Sequence, residues 1–351
     1  VSDRVFFRLD ASSRIGLGHL RRCLVLARAC QRRGAAAHFL IRSRDVDLCA
    51  QEFPEHGGLH EIPWECSPEE DVRLTLDICR SSGLRTGVID HYRLGLETQE
   101  ILQAGGLRWM QFGNRLHTHP LLGVLVHDAN PGARPEHYAD RVREPAPRFL
   151  AGPGFALVAE PFASQRARMT PPRERPVESV LLTFGAGDDR GATLAALGWL
   201  EQAGFSARRV VLATSLNPHL PDLRAKAAAD PRIELHVDNW HPESLMAGCQ
   251  LALCAGGTSL HELACLGVPP LIICIADNQW FPARAWQEAE MAGFLGNLDD
   301  LRQSAAPSAT LRDWLENPAK VAALAARCWQ AQDGRGAERM ADALIELDQS
   351  I

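Results

Sequence analysis

The sequence predicts an α/β protein built from two open, mostly parallel, doubly wound sheets, one in each half. Three observations predict it. The chain has 351 residues, more than one hydrophobic core usually organises. Strand-like and helix-like segments alternate along both halves with short connections. A polar, basic, proline-rich stretch from Ser164 to Ser179, SQRARMTPPRERPVES, separates the two series and offers little to a core.

In the first series Val5–Leu9 reads as a strand and Leu20–Gln31 as a helix, with Leu20, Leu24 and Ala27 at helical spacing and Gly34 as the stop. Ala37–Ile41 follows as a strand, then helices at Val46–Glu52 and Pro68–Ser81. Thr86–Ile89 is a strand, Leu96–Ala104 a helix, and Arg108–Phe112 and Gly123–Val126 are short strands. In the second series the strands are Ser179–Phe184, Arg209–Thr214, Ile233–His236, Leu251–Cys254 and Pro270–Ile273. The helices between and after them are Thr193–Ala203, Pro221–Ala229, Pro242–Ala247, Ser259–Leu266 and Gln279–Ala292. The pattern is that of two Rossmann-like domains facing a central cleft. They cover residues 1–163 and 179–335, with 164–178 as linker. An amphipathic final helix within 336–351 is expected to cross back to the first domain.

Composition narrows the function. Apolar residues at 46% and charged residues at 23% are ordinary for a globular protein, and a net charge of −6 argues against a nucleic-acid partner. No apolar run approaches the roughly 20 residues that cross a bilayer. The opening VSDRVFFRLD has charges at both ends and no apolar h-region, so neither membrane span nor signal peptide is expected. Ten cysteines without metal-ligand spacing read as small buried hydrophobes in a reducing cytoplasm rather than as a metal site or disulfide framework. The oligomeric state is not legible.

In open α/β sheets ligands collect beyond the carboxyl ends of the strands. Arg8 to His19, RLDASSRIGLGH, lies between the first strand and the first helix; Gly16 and Gly18 permit a tight turn, and Arg21 and Arg22 follow. His19 there can take a proton from water near neutral pH, or it merely caps the helix; local pattern weighs the two equally. Gly185-Ala186-Gly187-Asp188-Asp189 follows the first strand of the second domain and suits a diphosphate against backbone amides and the next helix. A plain turn is nearly as good a reading, and the two aspartates must turn away from a phosphate.

Gly256-Gly257-Thr258-Ser259 offers N–H groups and hydroxyls to a phosphate, and Glu262 lies one turn on, placed to accept from a ribose. A buried acid on that apolar helix needs such a partner. The bland reading makes Ser259 the helix cap with Glu262 at the favourable end of the dipole. Asp277-Asn278-Gln279 either orients a substrate or caps the next helix. Asp90-His91-Tyr92 ends a strand in the same way, and a structural aspartate is at least as good a reading there.

Together these segments resemble one family. DASSRIGLGHLRRC (Asp10 to Cys23) is similar to the opening signature of hydrolases that remove UDP from UDP-2,4-diacetamido-2,4,6-trideoxy-β-L-altropyranose in pseudaminic acid biosynthesis; spore-coat polysaccharide proteins are similar as well. IDHYRLG (Ile89 to Gly95), LAGPGFALVAEPF (Leu150 to Phe162), AGGTSLHELACLGVP (Ala255 to Pro269) and ADNQ (Ala276 to Gln279) match further blocks in order, up to about Gly293.

The resemblance implies a GT-B-like fold, a cytoplasmic place in nonulosonic acid and flagellin glycosylation, and a UDP-sugar substrate with no cofactor and no metal. It implies hydrolysis at the anomeric carbon with inversion. His19 would be the base, and Tyr92 and Asn278 would place water and sugar. Asp10, Ser12, Arg14, Ile15, Gly16, Gly18, Arg22, Asp90 and Gln279 would bind substrate. Gly185, Ala186, Gly187, Gly256, Gly257, Thr258, Ser259 and Glu262 would bind UDP. The chain departs from the family at Phe112-Gly113-Asn114, where an Asp-Asp pair is usual, and at Gly185-Ala186-Gly187-Asp188, where Gly-Gly-x-Asp is usual. Two other readings stand beside the hydrolase: a glycosyltransferase of the same architecture using a related UDP-sugar, and a non-catalytic nucleotide-sugar-binding protein.

Overall fold

A computed structural model describes residues 3–11, 18–43, 57–91, 93, 95–113, 119–185 and 187–349. Within it the chain divides into two compact units. The first comprises 1–129, 133–158 and 335–351, and the second 130–132 and 159–334.

The first unit holds a parallel sheet of β1 (Arg4–Ala11), β2 (Ala36–Ser43), β3 (Leu59–Ile62), β4 (Thr86–Asp90), β5 (Arg108–Phe112), β6 (Leu125–Asp128) and β7 (Arg148–Ala151). Its order is β3-β2-β1-β4-β5-β6-β7, so the chain reverses direction across the sheet between β1 and β4. Helices α1 (Gly18–Arg32), α2 (Pro68–Ser81) and α3 (Leu96–Ala104) connect the strands. α2 begins where its sequence dictates. The Ser67 hydroxyl accepts from the Glu70 amide at 3.2 Å, Glu70 reaches back to the Ser67 amide at 3.1 Å, and Pro68 occupies the first helical position.

The second unit opens with α4 (Glu160–Ala167) and contains β8 (Ser179–Thr183), β9 (Arg208–Ala213), β10 (Ile233–Val237), β11 (Leu251–Cys254), β12 (Pro270–Cys274) and β13 (Gly293–Asn297). They form a parallel sheet of order β10-β9-β8-β11-β12-β13, which reverses between β8 and β11. α5 (Ala192–Gln202), α6 (Leu220–Ala229), α7 (Glu243–Ala247), α8 (Ser259–Cys265), α9 (Trp280–Glu288), α10 (Leu298–Arg302), α11 (Ala306–Leu315) and α12 (Pro318–Ala331) complete it. Strands such as LLT and LIIC are buried on both faces, hence their continuous apolar runs.

The last helix, α13 (Gly336–Gln349), belongs to the first unit. Met340, Ala341, Leu344 and Leu347 enter the core that also contains Leu24, Ala27 and Phe7. Arg33, just past the end of α1, pairs with Asp342, and Arg339 donates to the Gly154 carbonyl at 2.8 Å. With the sheet on one side and α13 on the other, α1 leaves little exposed beyond Arg21, Arg28 and Arg32.

Several sequence expectations need correction. The expected helix Gln279–Ala292 is the end of a 3-10 turn at Asp277–Gln279, then α9, which stops at Glu288 before a turn; Glu290 takes a φ of 55° just past the helix end. The strand expected at Gly123–Val126 lies two residues later, and α4 covers the first residues of the segment expected to be linker. The helix expected at Val46–Glu52 lies outside the described residues. No helix among those described is long and apolar enough to cross a membrane.

Leu344 is fully buried on α13. Leu344→Ala is expected to destabilise the first unit by about 2–5 kcal/mol, through lost burial and the cavity left behind. Denaturant unfolding followed by a probe in that unit measures it.

Candidate active site

In a doubly wound sheet the strands on either side of the reversal part at their carboxyl ends and leave a crevice. In the first unit that point lies beyond β1 and β4, and His19, in the first turn of α1, is placed there. Its Nδ1 lies 2.8 Å from Asp90 Oδ1, at the last residue of β4. A carboxylate can only accept, so Nδ1 carries the proton and donates, and Nε2 holds the ring's lone pair.

Asp90 serves a second partner. Arg22, one helical turn beyond His19, donates from Nε to Asp90 Oδ2 at 2.5 Å and from its terminal nitrogen to Oδ1. The Cys23 thiol is 3.7 Å from Oδ2. Burial alone would raise the Asp90 carboxyl, but the Arg22 charge and the hydrogen bonds from His19 and Arg22 outweigh it and hold it at about 2. Asp90 and Arg22 were both expected to contact substrate. The structure gives both Asp90 oxygens to His19 and Arg22, and its side chain is only 3% exposed.

Asp10 is likewise engaged by neighbouring arginines. The even-numbered residues of β1 face away from the Phe7–Leu9 core, and Arg8 and Asp10 are both buried. Arg8 binds Asp71 of α2 through Nε at 2.9 Å and Asp10 through a terminal nitrogen at 2.9 Å. Arg42 of β2 holds Asp10 at 2.8 and 3.2 Å. Burial pushes the Asp10 carboxyl up, while Arg42 and Arg8 bring it to about 2. Its oxygens are spent inside the fold, where leaving either charge unpaired would be costly. Gly18 opens α1. Ser12, Arg14, Ile15, Gly16 and Tyr92 lie outside the described residues.

The second unit carries the other expected cluster around its own reversal point. Beyond β8, Gly185 has a φ of 98°, which suits glycine, and Gly185 and Gly187 are exposed; Ala186 lies outside the described residues. Asp189 turns inward and accepts from the Gly191 and Thr193 amides at 2.9 and 3.0 Å. The first turn of α5 is therefore already supplied with a carboxylate, and Asp189 is buried while Gly185 and Gly187 are exposed. Beyond β11, Gly257 and Thr258 are exposed and Gly256 and Ser259 half-buried. Thr258, not Ser259, precedes the first residue of α8, and its side chain makes no capping bond. Glu262 is half-buried rather than buried as expected.

Beyond β12, Asn278 is exposed, while Gln279 Oε1 accepts from the Ile275 amide at 3.0 Å and so shapes its own loop. The two loops touch. A Cβ on Gly256 would meet Gln279 Cβ at 3.0 Å and its carbonyl oxygen at 3.1 Å, so any larger residue would press Gln279 aside. Gly256, Gly257, Thr258, Ser259, Asn278 and Gln279 thus share one rim of the second sheet.

Three contributors escaped sequence reasoning. Phe112 supports the Arg22 guanidinium, 4.0 Å from its ring centre, and meets the edge of His127 at 5.2 Å. His127 Nε2 donates to the Phe155 carbonyl at 2.9 Å, and Nδ1 has no partner among the described residues. The Arg8–Asp71 pair joins residues 63 positions apart and has no local signature. Among the described residues one group could bring three metal-ligand atoms within 4.8 Å, Asp188, Asp189 and His219, with Asp189 already engaged by α5.

Fold and strand-end geometry define the class: two parallel-sheet α/β domains of the GT-B type. MurG from Acinetobacter baumannii superposes with a TM-score of 0.70 at 13% identity, covering 98% of this chain and 99% of that one. The chain is also similar in sequence to the UDP-2,4-diacetamido-2,4,6-trideoxy-beta-L-altropyranose hydrolase of Campylobacter jejuni. The two are 25% identical over 281 residues, 79% of this chain and 93% of the hydrolase. That is the family its motifs resemble. Spore coat polysaccharide biosynthesis protein SpsG of Bacillus subtilis is 24% identical over 151 residues, 42% of this chain and 44% of that protein. No family model matches the chain.

Burial holds the His127 imidazole at about 4, well below the usual value near 6.5. As pH falls below about 6.5 the unfolded chain takes up a proton that the folded chain refuses. Stability from this group is therefore complete above that pH and falls by up to about 1.4 kcal/mol per unit down to about pH 4. Urea unfolding at pH 7 and pH 5 is expected to show a smaller pH effect in His127→Gln than in the parent.

Proposed function

We propose that the chain is a UDP-sugar hydrolase acting on UDP-2,4-diacetamido-2,4,6-trideoxy-β-L-altropyranose or a close relative. Water attacks the anomeric carbon, the bond from that carbon to the UDP oxygen breaks, and its electron pair leaves with UDP. The attacking water's proton passes to His19 Nε2, and the free sugar emerges with its anomeric configuration inverted. The observation that carries this reading is the Asp90-bound His19 at the reversal point of the first sheet, with Nδ1 committed and Nε2 basic. Its support is the 25% identity to the Campylobacter hydrolase over most of both chains.

The remaining roles follow the chemistry. Gly185, Ala186, Gly187, Gly256, Gly257, Thr258 and Ser259 hold the diphosphate through amides and hydroxyls, and Glu262 accepts from the ribose. Tyr92 and Asn278 place the water and the sugar, with Gln279 fixing the Asn278 loop. Arg14 and the turn from Ser12 through Ile15, Gly16 and Gly18 contact the substrate. Diphosphate is a good leaving group once its charge is met, so a positioned water and a base contribute the rate without the two carboxylates of ordinary glycosidases.

Incubation with the UDP-sugar, followed by NMR, is expected to show UDP and free sugar in equal amounts with no acceptor added. His19→Ala should retain UDP binding and lose turnover by roughly 10²–10⁴-fold. A fully active His19→Ala enzyme refutes the assignment, and transfer to an added glycan or protein in place of free sugar makes the chain a transferase. Gly256→Ala, by pressing on Gln279, is expected to weaken UDP binding on the order of tenfold by calorimetry.

A further inference from the structure

Asp90 binds the base of the reaction just described, and Arg22 binds Asp90 in turn. Asp90 is buried, and each of its oxygens is engaged. Arg22 is half-buried, held flat over Phe112, and lies 3.2 Å from His19 Nδ1 while donating to the same carboxylate. Two opposite charges therefore bear on the same buried imidazole. Asp90 favours the imidazolium, and Arg22, as a like charge competing for the same oxygens, opposes it.

Resting on the hydrolase reading, we propose that Asp90 and Arg22 are opposed positioning residues for His19. Asp90 fixes the Nδ1–H tautomer and the ring's orientation, so that Nε2 receives the water's proton, and it neutralises the imidazolium formed. Arg22 holds Asp90 in place and limits how strongly it favours that imidazolium, so that the base is regenerated when the proton returns to solvent. The proton on Nδ1 stays on nitrogen throughout, and the carboxylate remains ionised.

The surroundings allow a clean test, because the other titratable groups near the pair are silent in the working pH range. Cys23, against Asp90, is raised well above the usual thiol value by burial and the Asp90 charge. Burial holds His91, beside Asp90, at about 3, and holds His127, across Phe112, at about 4. None of these three groups therefore sets a limb of kcat/KM near neutral pH.

Measured on the full chain with the altropyranose substrate, Asp90→Asn is expected to lower kcat on the order of 10²-fold with KM changed little. It should also move the acidic limb to lower pH by about one unit, and Arg22→Met should move it to higher pH. Opposite shifts are what a merely structural role would not produce. Nitrogen-15 NMR of labelled histidine, assigned with His19→Gln, should find the Nδ1–H tautomer in the parent and its loss in Asp90→Asn, a readout independent of turnover. If Asp90→Asn does not fold, the upward shift in Arg22→Met decides alone. An unmoved limb in the folded variants, shifts in one direction, or an Nε2–H parent overturns the proposal. Loss of activity in His19→Ala beside a parent-like Asp90→Asn would do so while leaving the base itself in place.

Discussion

A single buried carboxylate holds the first unit's chemistry together. Asp90 closes β4 beside β1, where the sheet reverses, and takes His19 and Arg22 from successive turns of α1. Without it α1 would present two basic side chains to a crevice with nothing to fix their geometry. With it, the Nδ1 side of the imidazole is committed and the ring is fixed in orientation. The rest of the unit serves this placement. Arg8, Asp10, Arg42 and Asp71 tie β1, β2 and α2 together beneath it, and α13 packs α1 down from outside. Charges inside a core contribute little net stability, but they constrain which strand ends can lie side by side.

The second unit solves a different problem with the same topology. Its strand ends carry glycines and hydroxyls beside an exposed Arg190–Asp299 ion pair at 2.9 Å, and its close contact is backbone against side chain, Gly256 against Gln279. Asp189 shows how narrow the choice of anion site is. It already occupies the first turn of α5, so that helix has its negative charge from within. The rim formed by the β11 and β12 loops is where exposed polar groups remain.

Most of the fold was legible because long apolar runs and helix boundaries carry their own signals. Pro68, Ser67 and Glu70 mark the start of α2 to the residue. The missed strands β3, LHEI, and β7, RFLA, are short edge or near-edge pieces without clear alternation, and β13 contains two glycines and a register shift against β12. The candidate site was legible as positions but not as partnerships. His19 and Asp90 both stood out at strand ends, yet 71 residues separate them, and only strand order brings them together. The family resemblance implied substrate contact for Asp10 and Asp90, and spacing alone left a structural role for Asp90 open; the arginines that pair with them come from other positions in the chain and have no local signature. Glu262 looked buried because its helix is apolar, but a seven-residue helix leaves that position half open.

The most direct test of the account follows the oxygen atom. When the altropyranose substrate is hydrolysed in water enriched in oxygen-18, attack at the anomeric carbon places the heavy oxygen on the released sugar and leaves UDP unlabelled. Mass spectrometry of both products should find that distribution. Heavy oxygen in UDP would mean that the bond broken is the one to phosphorus, and a base set to deliver water to the sugar would then have no place in the reaction.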